Sequence, residues 1–253
     1  MLHTGMLSIT FRQLQPEEIV ALTVQAGLDA IEWGGDIHVP HGNVDVAHHV
    51  KRVTEEAGLI IASYGSYYKA GVLDSDVPSF EDVLASAVAL GAPAIRIWAG
   101  NKGSQAADPG WRDQVTADIV RIADQAQKEN IRIHLEYHAN TLTDTLESTI
   151  ALLEVANHPN VKTNWQPPTT LSVEQRLESL EGVLPYLADV HVYHWQHGER
   201  LSLSEGSEEW GAYVHHFRPI AGNLRFAMLE FVRNDDPEQF LEDAAELLRL
   251  VKA

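Results

Sequence analysis

The chain has 253 residues, 45% hydrophobic and 21% charged, enough to bury a large core, which excludes a disordered segment or a mini-protein. Eighteen Lys and Arg against 36 Asp and Glu leave a net charge of −18, a field that repels phosphate backbones and anionic lipid surfaces. With no Cys and 13 His, disulfides, thiolate ligands and a cysteine nucleophile are excluded, and histidine remains as ligand or base.

Met1 to Gln15 lacks the basic start and apolar run of a signal peptide, and no later stretch approaches the roughly 20 apolar residues of a membrane span; the cytoplasm is the expected compartment, with no membrane and no nucleic-acid partner. Short apolar, β-branched runs then recur along the chain: Met6–Thr10, Ala30–Trp33, Ile60–Tyr64, Ala94–Ala99, Ile131–Tyr137, Val161–Trp165, Val190–Trp195 and Phe226–Val232. Between them lie helical patterns with start and stop signals. Pro16-Glu17-Glu18 opens the first and Gly27 follows it. Val46, Val50, Val53 and Ala57 precede Gly58, Ser79-Phe80-Glu81-Asp82 opens a run to Gly91, and Asp108-Pro109 opens a run to Glu129. Thr143–Val155, Ser172-Val173-Glu174-Gln175 and Asp236-Pro237-Glu238 continue the series, while Gln105–Asp108 and Leu201–Glu209 read as longer surface loops. Alternating strand and helix imply a parallel sheet. Eight units in a chain of this length match a closed (β/α)8 TIM barrel, and the first turn, Thr10-Phe11-Arg12-Gln13, lacks the glycine fingerprint of an open dinucleotide-binding sheet. No composition shift marks a boundary, so residues 1–253 are expected to form a single (β/α)8 barrel of the α/β class.

In such a barrel the active site lies at the carboxyl ends of the strands, so polar residues ending apolar runs carry the functional signal. Glu136 interrupts Ile131-Arg132-Ile133-His134-Leu135-Glu136-Tyr137-His138. Gln166 ends Asn164-Trp165-Gln166-Pro167-Pro168, His191 lies in Val190-His191-Val192-Tyr193-His194-Trp195, and Glu230 lies in Ala227-Met228-Leu229-Glu230-Phe231-Val232. A buried carboxylate needs a positive partner. Few basic residues sit on these strand ends, so one divalent ion held by Glu136, Gln166, His191 and Glu230 is the economical solution; Mn²⁺, Mg²⁺, Co²⁺ and Zn²⁺ all suit such a set. Separate strand-end polar residues, each with its own hydrogen-bond partner, are the alternative.

These four strand ends, with Glu32-Trp33-Gly34-Gly35-Asp36-Ile37-His38-Val39-Pro40 after the second strand, resemble the xylose isomerase-like barrels, the sugar phosphate isomerases and epimerases whose superfamily also holds tagatose 3-epimerases, inosose dehydratases and endonuclease IV. The resemblance covers essentially the whole chain. It implies that all four positions bind one divalent metal and that Glu136 and Glu230 also serve as the catalytic acid/base pair. Gln166 departs from the pattern, which commonly has Asp there; a neutral amide oxygen implies a weaker, more Lewis-acidic site.

A base, an acid within reach and a cation beside the developing enediolate support proton transfer next to a carbonyl. Epimerisation, aldose–ketose isomerisation and dehydration all fit that set. The loop Arg233-Asn234-Asp235-Asp236 reads as an acidic helix cap competing with phosphate, so the expected partner is an unphosphorylated small-molecule carbohydrate: a sugar, keto-sugar or cyclitol. Candidate substrate contacts are His38, Tyr67, Lys69, Trp98, His138, Trp165, His194 and Arg200, with His41 beside them. Each has a bland reading: solvated loop histidines, aromatic rim or core packing for Tyr67, Trp98 and Trp165, and a rim salt bridge for Arg200. His48, His49, His215 and His216 read as surface residues. Two rivals stand. An endonuclease-like role conflicts with the charge and with Gln166, whereas an inactive sugar-binding barrel predicts no metal. Nothing in the sequence identifies an interface, and a homo-oligomer is left open.

Overall fold

The computed structural model describes residues 2–74, 77–217 and 225–252. Eight parallel strands close on themselves in the order β1-β10-β7-β6-β5-β4-β3-β2. They are β1 (Leu2–Leu7), β2 (Ala30–Gly34), β3 (Ile60–Lys69), β4 (Ala94–Trp98), β5 (Arg132–Glu136), β6 (Val161–Trp165), β7 (Leu187–Val192) and β10 (Arg225–Leu229). A separate antiparallel hairpin, β8 (His194–Gln196) and β9 (Glu199–Leu201), follows β7. The expected barrel is therefore present, with two local differences at its ends. The first strand begins before Met6, and Ser8–Phe11 form a 3₁₀ turn; the seventh apolar run divides between β7 and the hairpin.

Among the described residues eight α-helices alternate with the barrel strands: α1 (Pro16–Gln25), α2 (Val44–Glu56), α3 (Phe80–Leu90), α4 (Pro109–Lys128), α5 (Leu146–Ala156), α6 (Val173–Val183), α7 (Ser207–Phe217) and α8 (Pro237–Lys252). Local chemistry sets their starts. The side chains of Asn43, Ser79, Asp108, Thr145 and Ser172 each accept a bond from a backbone N–H in the first helical turn, satisfying donors that have no intrahelical partner. The stretch expected as a loop over Leu201–Glu209 instead holds a 3₁₀ turn, Leu203–Gly206, leading straight into α7. Its signal was the Ser202…Glu205 capping box. Among the described residues no helix is long and apolar enough to cross a membrane.

Successive strand residues alternate between the helix layer and the barrel interior. On β4, Ile95 and Ile97 join the large apolar core beneath the helices, which sends Arg96 and Trp98 inward. On β5 the same alternation gives Ile133 and Leu135 to the core and His134 and Glu136 to the interior. The interior is divided. Leu7, Ala30, Ala62, Phe226 and Met228, from β1, β2, β3 and β10, form a small apolar cluster of their own, while β4 to β7 line the other side with Arg96, His134, Asn164, Asp189 and His191, all buried.

Candidate metal centre and active site

At the carboxyl ends of β5, β7 and β10, Glu136, His191 and Glu230 each offer a ligand atom, and these atoms lie within 4.8 Å of one another. All three residues are buried. Backbone geometry delivers them: Glu136 ends β5 in register with Asn164 of β6, His191 of β7 pairs with Met228 of β10, and the Glu230 N–H donates to the Val192 carbonyl at 2.9 Å. Phe231, just beyond, has φ +53°, a region in which a bulky side chain is strained, and its N–H donates to Thr10 Oγ1 at 3.2 Å.

Gln166 sits beside this group. Its Nε2 donates to the Tyr137 carbonyl at 2.9 Å and lies 3.5 Å from Glu136 Oε1, while its Oε1 is buried with no hydrogen-bond partner among the described residues. His191 Nδ1 is also without a hydrogen bond, facing Glu230 Oε2 at 3.4 Å, beyond the usual reach of such a bond. Buried acceptors left unsatisfied are rare and point to an absent partner. An amide oxygen and an imidazole nitrogen without hydrogen-bond partners among the described residues, beside the carboxylates of Glu136 and Glu230, form a donor set that fits a divalent cation.

One expectation needs correction. A basic residue does reach the strand ends: Arg96, 2% exposed, lies between two carboxylates. Its Nε donates to Glu32 Oε1 at 2.7 Å and its Nη1 pairs with Glu136 Oε2. Ser63 Oγ donates to Glu32 Oε2 at 2.5 Å, and Trp98 Nε1 donates to Glu136 Oε2 at 2.6 Å. Gly65 makes the arrangement feasible, since a Cβ there would lie 2.6 Å from Arg96 Nη2 and 2.8 Å from Glu32 Oε1. The signal available in the sequence was an arginine between two isoleucines of an apolar strand, at the same inward phase as Trp98. Glu32, Glu136 and Glu230 are three buried carboxylates that all act on the one guanidinium of Arg96, an excess of negative charge that a divalent ion could offset.

Burial by itself would raise the Glu136 pKa, but Arg96 first, then His191, His138 and the Trp98 N–H, hold it below the ordinary carboxylate value. Burial would likewise depress His191; Glu230, Glu32 and Glu136 outweigh it and hold the imidazole above its usual value. Glu230 has no side-chain hydrogen-bond donor among the described residues other than the His191 ring it faces.

A cavity of about 280 Å³ opens onto this group, lined among others by Glu136, His138, Gln166, Tyr193, Glu230 and Phe231. Of the expected substrate contacts, His138 lines this cavity, while Tyr67, Lys69 and Trp98 line a neighbouring one and pack up to His138. Trp98 stacks on His138 with ring centroids 4.9 Å apart, Tyr67 meets Trp98 edge-on at 5.7 Å, and Lys69 Nζ lies 5.3 Å from the Trp98 ring centre. The other four are placed elsewhere. His38 uses both ring nitrogens internally, on Ser8 Oγ at 2.9 Å and the Leu14 carbonyl at 3.2 Å. Trp165 points to the helix layer, donating to Ser179 Oγ of α6 at 3.0 Å, because strand alternation puts it on the face opposite Asn164 and Gln166. His194 packs against Gly206, where a Cβ would lie 2.4 Å from its Nδ1. Arg200 forms the rim salt bridge, to Asp235, and lies over the Phe231 ring at 4.5 Å. His41 Nδ1 is bound to Tyr64 Oη at 2.7 Å.

Known proteins match this architecture. The family model described as xylose isomerase-like TIM barrel matches residues 20–251. A 3-dehydroshikimate dehydratase of Bacillus anthracis is 31% identical over 124 residues, 47% of this chain and 42% of that protein, so the match spans less than half of the relative's length. Among solved structures, the probable 3-DHS dehydratase of petrobactin synthesis from Bacillus anthracis superposes with a TM-score of 0.80 at 22% identity, covering 98% of this chain and 99% of that one. A D-psicose 3-epimerase with D-tagatose from Clostridium cellulolyticum H10 gives 0.75 at 14% identity, covering 99% and 98%.

Proposed function

The chain belongs to the xylose isomerase-like TIM barrel family, and we propose that it is a divalent-metal-dependent isomerase or epimerase of an unphosphorylated sugar, keto-sugar or cyclitol. The observation that carries this reading is the convergence of the ligand atoms of Glu136, His191 and Glu230 within 4.8 Å of one another, beside Gln166, whose amide oxygen is unpartnered among the described residues. Glu136, Gln166, His191 and Glu230 would hold the ion. When bound, it polarises a substrate carbonyl and stabilises the enediolate oxygen that forms on proton loss.

The protein's own groups supply the proton chemistry. Glu230, whose carboxylate has no side-chain hydrogen-bond donor among the described residues other than the His191 ring it faces, takes the proton from the carbon next to the carbonyl. Glu136 is the other member of the pair, held anionic by Arg96 and Trp98, and it accepts or returns a proton on its own side of the substrate. His138 and Trp98 offer a flat wall for a sugar ring. An unphosphorylated substrate is supported by Asp236, whose Oδ1 accepts the Glu238 N–H at 3.0 Å and so occupies the start of α8 where a phosphate would bind.

A second reading, dehydration, is favoured by the 31% identity with a 3-dehydroshikimate dehydratase. It shares the first proton removal and differs in expelling hydroxide from the neighbouring carbon. The experiment is incubation in D₂O with Mn²⁺ and a panel of keto-sugars, cyclitols and 3-dehydroshikimate, followed by mass spectrometry. One deuterium at carbon, lost on chelation and in Glu230→Gln, supports the first reading; loss of water supports the second. No metal binding and no exchange would overturn both and favour an inactive binding barrel.

A further inference from the structure

Asn164 and His191 face each other in the barrel interior, both 1% exposed. Asn164 Nδ2 lies 3.4 Å from His191 Nε2, and Asn164 Oδ1 has no hydrogen-bond partner among the described residues. The other ring nitrogen, Nδ1, is turned to Glu230 Oε2 at 3.4 Å, so Nδ1 is the atom on the side of the ligand group. In this arrangement the amide N–H of Asn164 approaches the Nε2 lone pair. In the neutral ring this contact is a hydrogen bond only with the proton on Nδ1, directed at the Glu230 carboxylate.

A ring in that tautomer cannot ligate through Nδ1, because a metal needs the lone pair that the proton occupies. Moving the proton to Nε2 frees Nδ1, but it then sets an N–H against the Asn164 amide N–H. A half-turn of the Asn164 amide removes the conflict and gives the idle Oδ1 a donor. We infer that Asn164 is a positioning residue that fixes the tautomer of His191: with metal bound, His191 Nε2–H donates to Asn164 Oδ1 and the Nδ1 lone pair faces the ion. Without metal the same pair rests in the opposite arrangement. Histidine ligands generally depend on a partner of this kind for ring orientation and basicity. The inference rests on the metal reading above, and it explains why an asparagine, able to donate in one orientation and accept in the other, stands where the interior is otherwise short of partners.

The test uses the intact protein and two readouts that do not depend on substrate. Two-bond ¹⁵N–¹H correlation spectra of histidine-labelled protein, chelated and then loaded with Zn²⁺, report the His191 tautomer, its resonance assigned by its loss in His191→Gln. At a pH high enough to neutralise the ring of the chelated protein, proton on Nδ1 before loading and on Nε2 after is the expected result. Calorimetric titration of Mn²⁺ into variants is the second readout: Asn164→Leu should weaken binding on the order of 10- to 100-fold, whereas Asn164→Asp, which keeps the acceptor and lacks the donor, should bind at least as tightly as the native protein. Metal bound with the proton still on Nδ1, or Asn164→Asp weakened as much as Asn164→Leu, would overturn the inference while leaving the metal site intact. Wild-type protein that binds neither ion would instead overturn the metal reading itself. The spectra need no variant fold beyond that used for assignment, so an unstable Asn164→Leu does not leave the inference open.

Discussion

The two sides of the barrel mouth are equally buried and differ in how far their polar groups are satisfied. On the β2–β4 side, Glu32 accepts from Arg96 Nε and from Ser63 Oγ, and Arg96 spends a second nitrogen on Glu136. On the β6–β10 side, Asn164 Oδ1, Gln166 Oε1 and His191 Nδ1 all lack hydrogen-bond partners among the described residues. The first side is an ion-pair network that the fold largely completes by itself, leaving Arg96 Nη2 without a hydrogen-bond partner among the described residues. The second leaves ligand-type atoms free beside a Glu/His/Glu group that could hold a metal ion. Similar burial with opposite satisfaction separates structural charge from a binding centre, since unpaired buried polar groups are costly to keep without a purpose.

Substitutions should divide along the same line. The largest effect is expected on turnover: Glu230→Gln should lower solvent exchange at the substrate carbon by about 10²- to 10⁴-fold, with little change in the urea midpoint, because the variant removes a carboxylate from the side that has too many. Arg96→Met should do the reverse to the fold. It strands Glu32 and Glu136 as uncompensated buried charges and should cost about 3–5 kcal/mol, measured by urea unfolding; a loss below about 1 kcal/mol would show that the first side is not such a network. Gln166→Leu should weaken Mn²⁺ binding in calorimetry by roughly tenfold or more, on the scale of losing a metal-supporting group, and leave the unfolding midpoint of the chelated protein nearly unchanged.

Two smaller effects concern pH. His191 is held above its ordinary value of 6.5 in the metal-free protein. A raised folded-state value means that its contribution to stability is fully present below about pH 6.5 and lost as pH rises through the raised value. The chelated protein should therefore lose stability on going from pH 6 to pH 8, and saturating metal, which requires the neutral ring, should reverse the slope. Away from the mouth, burial pushes Asp243 up to about 6, against the bonds from Leu203 N–H and Gln239. The sign is the same: its contribution is present below the ordinary value of 3.8 and lost as pH rises through about 6. Asp243→Asn, which keeps the acceptor oxygen, should flatten that part of the melting-temperature profile, the smallest of these changes.

The sequence by itself determined the barrel. Its signals are local: an apolar run of strand length, a capping residue, a helical repeat and a turn, each readable within a dozen residues and repeated eight times. Along the chain it also marked Glu136, Gln166, His191 and Glu230 as candidates, because a polar residue ending an apolar strand stands out in one dimension. Within a strand, alternation alone separates Trp165 from Asn164 and Gln166. Only the tertiary structure decided which partners meet. Arg96 reaches Glu32 across 64 positions and Glu136 across 40, and that bridge depends on the register of three strands and on Gly65 leaving room beside it. His38, His194 and Arg200 lie in loops or at strand ends, where sequence fixes neither direction nor neighbour; the closed barrel turned them to Ser8, Gly206 and Asp235. Asn164 was hidden for the same reason, since a single interior amide carries no pattern along the chain and acquires a role only when closure of the barrel brings it against His191.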